Sequence, residues 1–245
     1  MINKSGLTLL LSIFCITVLI HSCTNEPQSL DFETNIHEYD YEASISVAID
    51  EAKGNTEISK IINFKIEEAI ISTFSEATKK TSLESVLEDF NNEFVAFKNQ
   101  FPEASHLVWE LHIETEKIYQ SDDVITLAIN TYEFKGGAHG NDKIKFLNLN
   151  AHTGETLNLA DMVENTEDFK ALAKNYFFKS MSSGTEDNQT EDYFFGKPFQ
   201  LPENIGFSDD GLVFLYNVYE IASYSQGYSE FIIPFDVVDK YLKVK

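Results

Sequence analysis

Residues 107–134 read Leu-Val-Trp-Glu-Leu-His-Ile-Glu-Thr-Glu-Lys-Ile-Tyr-Gln-Ser-Asp-Asp-Val-Ile-Thr-Leu-Ala-Ile-Asn-Thr-Tyr-Glu-Phe. Leu107, Trp109, Leu111 and Ile113 alternate with Glu110, His112 and Glu114. After the polar Ser121-Asp122-Asp123, Ile125, Leu127 and Ile129 resume the same period. A side-chain period of two belongs to an extended chain with one buried face, and a polar break between two such runs belongs to a hairpin. The stretch therefore predicts two antiparallel strands with a half-buried surface.

Upstream, the period changes. Ile58, Ile62, Ile66, Ile70 and Phe74 recur every four residues, joined by Ile61 and Ile71, which makes one apolar helical face. Thr81-Ser82-Leu83-Glu84 has the form of a capping box, followed by Leu83, Val86, Leu87, Phe90, Phe94, Phe97 and Phe101 on a second helix closed by Pro102. That phenylalanine stripe reads as core. Earlier still, Tyr41 to Ile49 suggests a strand. Downstream, Ile144–Leu149 and Leu157/Leu159 flank a Thr153-Gly154 turn, and Phe169, Leu172, Ala173, Tyr176 and Phe177 form a third helical stripe. Ser182 to Thr190 reads as a polar loop. Leu212–Val218 and Phe231–Phe235 alternate again, before a short C-terminal helix. Helices are segregated from strands rather than interleaved, which predicts an α+β fold. Its sheets are mostly antiparallel, with about three main helices packed on one side, in two small subdomains spanning 37–135 and 136–245. The seam falls at the glycine-rich loop 135–141.

The first residues carry a different message. Lys4 precedes an uncharged apolar run from Leu7 to Ile20, shorter than the roughly 20 apolar residues a membrane-spanning helix needs. A cation, a short apolar centre and a small residue before the cut form a secretory signal, here over residues 1–22. Ile20-His21-Ser22-Cys23 closes it in the manner of a lipobox. The expectation is an exported lipoprotein, cut before Cys23 and acylated there with chains such as palmitate, on a flexible tether at 23–36. The only other cysteine, Cys15, lies inside the apolar run, so the mature chain has no disulfide and must rely on its core. The expected location is the cell envelope, on the periplasmic or surface face of an outer membrane.

The chain has 40 acidic and 18 basic residues, a formal net charge of −22, and no arginine. Nucleic acid binding requires a basic footprint, so that class is excluded. The absence of arginine also weighs against bidentate capture of phosphate. An acidic surface suits cationic partners.

Two stretches hold the candidate chemistry. One is Tyr132-Glu-Phe-Lys-Gly136-Gly137-Ala-His139-Gly140; the other runs from Gly211 into Tyr219-Glu220-Ile-Ala-Ser-Tyr224-Ser-Gln-Gly227. Gly136, Gly137, His139, Tyr219, Glu220 and Tyr224 form the candidate binding loop. These blocks resemble the paired extracytoplasmic module formed by the domain-of-unknown-function family thirty-two ninety-eight and its N-terminal partner, the deacetylase-associated domain. The likeness runs through Tyr132, Gly136 to His139, Phe146, Thr153, Gly154, Leu157, Leu159, Asp161, Tyr219 to Ala222 and Gly227. It covers about residues 37 to 245 and departs from the family pattern at Lys135 and Ser223. It implies an envelope location, since similar modules form the outer part of lysozyme-sensing anti-sigma factors or precede a polysaccharide deacetylase domain. No further domain is read here, so catalysis does not carry over.

For His139, a role in fixing its own turn stands beside a functional one. The other histidines beyond the expected cut, His37, His106, His112 and His152, show no ligand spacing, so no metal and no cofactor are expected. No Gly-x-Ser-x-Gly elbow occurs. Two readings follow. The first is a non-catalytic module that binds or senses an extracytoplasmic protein, such as a cationic lysozyme, or a glycan such as peptidoglycan. The second is an envelope polysaccharide hydrolase or deacetylase-like enzyme using His139 and Glu220 as an acid/base pair. The first is favoured, and whether His139 and Glu220 meet decides between them.

Overall fold

The computed structural model describes residues 30–74, 82–104, 106–164, 166–182 and 193–245. The signal segment, Cys23 and the loop at 183–190 lie outside these residues. The element order is β1 (Phe32–His37), β2 (Ser44–Ala52), α1 (Glu57–Ile71), α2 (Leu83–Gln100), β3 (Glu110–Gln120), β4 (Val124–Phe134), β5 (Asn141–Asn150), α3 (Leu159–Met162), α4 (Thr166–Ser182), β6 (Asn204–Ser208), β7 (Gly211–Tyr216), β8 (Ser229–Pro234) and α5 (Phe235–Val238). The α+β class holds.

A five-stranded sheet runs β1-β2-β3-β4-β5 and a three-stranded sheet runs β6-β7-β8. All neighbours are antiparallel except β2 and β3. A parallel neighbour needs a crossover, and α1 and α2 supply it. Their apolar stripes, Ile62, Ile66 and Ile70 on α1 and Leu83, Leu87, Phe90 and Phe94 on α2, bury against Leu111, Ile113, Ile125, Leu127 and Ile129 of the hairpin. Ser82 caps α2, its side chain accepting from Ser85 N at 3.3 Å. The phenylalanine stripe is core through Phe94; Phe101, past the last turn, is 46% exposed.

The second core belongs to the smaller sheet. Phe169, Ala173 and Phe177 of α4, four residues apart on one face, are fully buried against Phe214, Tyr216 and Phe231. The third main helix therefore packs on the smaller sheet, while α1 and α2 cover the larger one.

The two sheets are joined by buried carboxamides. On the sheet face opposite α1, Thr126 Oγ1 donates to Asn148 Oδ1 (2.8 Å), and Asn148 Nδ2 donates to the Ile205 carbonyl (2.8 Å). At the free edge of β5, Asn204 accepts from Phe146 N and donates to Ile144 O, both at 3.0 Å. Asn217 does the same to Ile144 N and O, both at 2.8 Å. Two amide side chains thus stand where a sixth strand would pair. A buried edge must satisfy its backbone groups, and these carboxamides present both a donor and an acceptor to do so.

Three expectations change. The loop 135–141 is no seam: it is the turn between β4 and β5, and the ladder continues through Val124↔Asn150. The change of sheet comes after Asn150. The expected tether to residue 36 also shortens, because Phe32–His37 pairs with β2. Its polar side chains bond across the strands, Thr34 to Asp50 and Asn35 to Glu51, both at 2.6 Å. Polarity on that edge strand had concealed it. Finally, Leu157 meets β5 only through one backbone bond to Asn148 and a bridge beside it, and Leu159 begins α3 rather than a strand.

Candidate functional site

The β4–β5 turn and the β7–β8 connection meet in space. The His139 ring lies on the Tyr224 ring at 4.0 Å between centroids, 16° from parallel. Tyr219 follows at 5.6 Å from Tyr224. Tyr219 and Tyr224 are 55% and 41% exposed. Tyr219 also holds φ at +68°, a conformation costly for a bulky side chain and characteristic of sites where structure around it enforces strain.

A second group of rings lies on the larger sheet. A Cβ on Gly140 would sit 2.3 Å from the Tyr132 ring, so only glycine lets the turn close over that tyrosine. Tyr132 in turn stacks on His112 at 5.6 Å, its register partner on β3. His112 Nδ1 lies 2.6 Å from Ser46 Oγ, and Nε2 lies 3.5 Å from Glu110. Two groups of rings result, His112 with Tyr132 on the sheet and His139 with Tyr224 and Tyr219 at the β7–β8 connection, and Gly140, next to His139, abuts the Tyr132 ring between them.

Gly136 takes φ +79° against the Trp109 indole, and Gly137 takes φ +132° in open space. Lys135 fixes the base of the turn through Glu93 at 2.9 Å and over the Phe90 and Trp109 rings. His139 Nδ1 lies 3.2 Å from Gly140 O, the turn-fixing contact. The histidine thus serves its own loop and offers its ring to Tyr224.

Glu220 is turned away. Its two oxygens accept from Glu203 N (3.0 Å) and Asn217 N (2.8 Å). Burial pushes its carboxyl above the usual range, and the two backbone donors oppose that rise. A carboxylate with both oxygens engaged by amides is a loop staple. Among the described residues, no hydrogen bond or ion pair joins it to His139. Nor is there, among those residues, a cluster of three or more potential metal ligands.

A separate cleft of about 380 Å³ opens beside β5, walled also by α1, by the segment running into α3 and by the start of β6. Lys145 projects there, donating to Ser72. Burial, and then Lys143, hold its amine below the usual lysine range.

Sequence reading missed His112, Ser46 and Asn217. The alternation in 107–134 does place His112 and Tyr132 on one face, but pairing them requires the register. A bulge between Lys117 and Tyr119 shifts that register by one residue.

Residues 33–142 match the family model described as "Deacetylase PdaC", and residues 159–236 match the one described as "Protein of unknown function (DUF3298)". The resemblance read from the motif blocks is borne out. The rings straddle both matches: His112, Tyr132 and His139 lie in the first, Tyr219 and Tyr224 in the second. Among solved structures, a DUF3298-family protein from Bacteroides fragilis NCTC 9343 is similar with a TM-score of 0.68 at 19% identity, over 87% of this chain and 94% of that one. Another, from Pseudomonas aeruginosa PAO1, gives 0.61 at 22% identity over the same shares. No curated protein matches the chain.

Proposed function

We propose that this chain, which pairs a PdaC-type module with a DUF3298 module, is a lipid-anchored cell-envelope protein that binds an extracytoplasmic protein or glycan without transforming it. The observation that supports this reading is the half-exposed group of rings where the two modules meet. Large aromatics exposed beside a strained backbone position fit recognition, because they contribute contact area with little entropy to lose on binding. The engagement of Glu220 by two backbone amides favours binding over catalysis. Acylation of Cys23 would hold the module at the membrane, and Cys23→Ser is expected to move the protein from the membrane fraction to the soluble fraction. Unchanged fractionation would remove the lipid anchor from the proposal.

Binding is tested by calorimetry at low salt with a cationic lysozyme and, separately, with soluble peptidoglycan fragments. Tyr224→Ala should weaken the ligand that binds by about 10- to 100-fold, the scale of an aromatic hot spot, with the melting temperature unchanged. If neither ligand binds the wild-type protein, the reading fails.

A further inference from the structure

The rings border a face whose charge is one-sided. Strand alternation and the observed register place residues of even number in β2 to β5 on the face that carries Tyr132. Those positions include Glu110, Glu114 and Glu116 on β3, Asp142 on β5 and Asp50 on β2, and no lysine. Lysines of the same strands, Lys117, Lys143 and Lys145, occupy odd positions. An anionic ligand would be repelled there. A ligand that suits the face must offer flat apolar surface to the rings and cationic donors to the carboxylates between them.

An amino sugar with a free amine meets both demands. The C–H face of a pyranose ring stacks on an aromatic ring, and its ammonium group carries three donors for carboxylates and is drawn to ring faces. Resting on the ligand-binding reading above, we propose that this face, from His112 across Tyr132 to His139, Tyr224 and Tyr219, takes a glycan chain of amino sugars whose amines are unacetylated. Glu114 is its natural cation partner. It is exposed, one step along β3 from His112 on the same face, and opposite Asn130 in register. Ser46, held by His112, supplies a hydroxyl beside the first ring.

The test is titration of the protein with glucosamine hexamer and with N-acetylglucosamine hexamer, at about 20 mM and about 300 mM salt. The unacetylated hexamer should bind at least tenfold tighter than the acetylated one, and the advantage should shrink at high salt as exposed pairs are screened. Glu114→Gln should weaken it several-fold and Tyr224→Ala at least tenfold. Glu88→Gln, on the outer surface of α2, changes net charge equally and should leave binding unaltered. Equal or tighter binding of the acetylated hexamer overturns the proposal. So does binding that Glu88→Gln weakens as much as Glu114→Gln, which would mark a diffuse response to an acidic protein. If lysozyme binds through Tyr224 and neither hexamer does, this inference fails and the general binding reading stands; if nothing binds, both fail.

Discussion

Phe177→Ala is expected to lower the melting temperature by roughly 6–20 °C. The side chain is fully buried at the centre of the second core, with the rings of Phe178, Tyr193, Phe194, Phe199, Tyr216 and Phe231 all within 5.9 Å between centroids. Most of these meet it edge-on, the arrangement ring quadrupoles favour. Deleting the ring removes its transfer free energy and leaves a cavity walled by six aromatics that cannot all collapse inward. Phenylalanine-to-alanine changes in cores cost about 3–5 kcal/mol, and a protein of this size loses about 2–4 °C per kcal/mol. Scanning calorimetry measures this directly, and Phe177→Leu should lose far less because it retains most of the volume. A shift under 3 °C for the alanine variant would show that the second core does not depend on this ring.

Asn204→Leu should be nearly as damaging for the opposite reason. It adds apolar volume at a site only 4% exposed and creates no cavity. The loss comes from the β5 edge, where Phe146 N–H would be left without its acceptor and Ile144 O would keep only Asn217. A stranded buried backbone donor costs about 1–3 kcal/mol, and with the second bond gone the total should reach about 2–4 kcal/mol. Asn204→Asp separates hydrogen bonding from volume. Its neutral carboxyl can still donate to Ile144 O and accept from Phe146 N–H; its carboxylate cannot donate and is buried against a carbonyl. Burial raises the pKa of such a group in the folded state, so its stability is fully present at low pH and declines as pH rises through the unfolded and then the folded pKa. Chemical denaturation of this variant at pH 4 and pH 7 should therefore show a deficit relative to wild type that grows with pH. A deficit independent of pH would mean that Asn204 acts through shape alone.

These two positions differ in how far they could be foreseen. Phe177 lies on a stripe with Phe169 and Ala173, and a four-residue apolar period identifies a buried helical face without any partner in view. Asn204 follows Pro202 and Glu203 in a stretch with no periodicity, and nothing local marks its carboxamide as the mimic of a missing strand. The strand Phe32–His37 escaped for a related cause: its polar side chains satisfy one another across β1 and β2, so no apolar alternation betrays it. At the candidate site, glycines beside His139 and the tyrosines around Glu220 were legible as unusual local composition. Whether Glu220 would meet His139 was left open by the sequence, because the direction of a side chain in a loop is set by which backbone amides lie within its reach, here those of Glu203 and Asn217.

The amino-acid sequence by itself determined the class of fold, the β3–β4 hairpin, the three apolar helical faces and the acidic, arginine-free character of the chain. Each of these follows from periodicity or composition, which are properties of neighbouring residues. Only the tertiary structure decided that residues 135–141 lie within one sheet rather than between two subdomains. It alone brought His139 onto Tyr224, stacked Tyr132 on His112, and turned Glu220 inward. Those outcomes depend on a one-residue bulge and on carboxamides that dock one sheet against the other. Both set distances between residues far apart in the chain, and no local pattern of side chains encodes such distances.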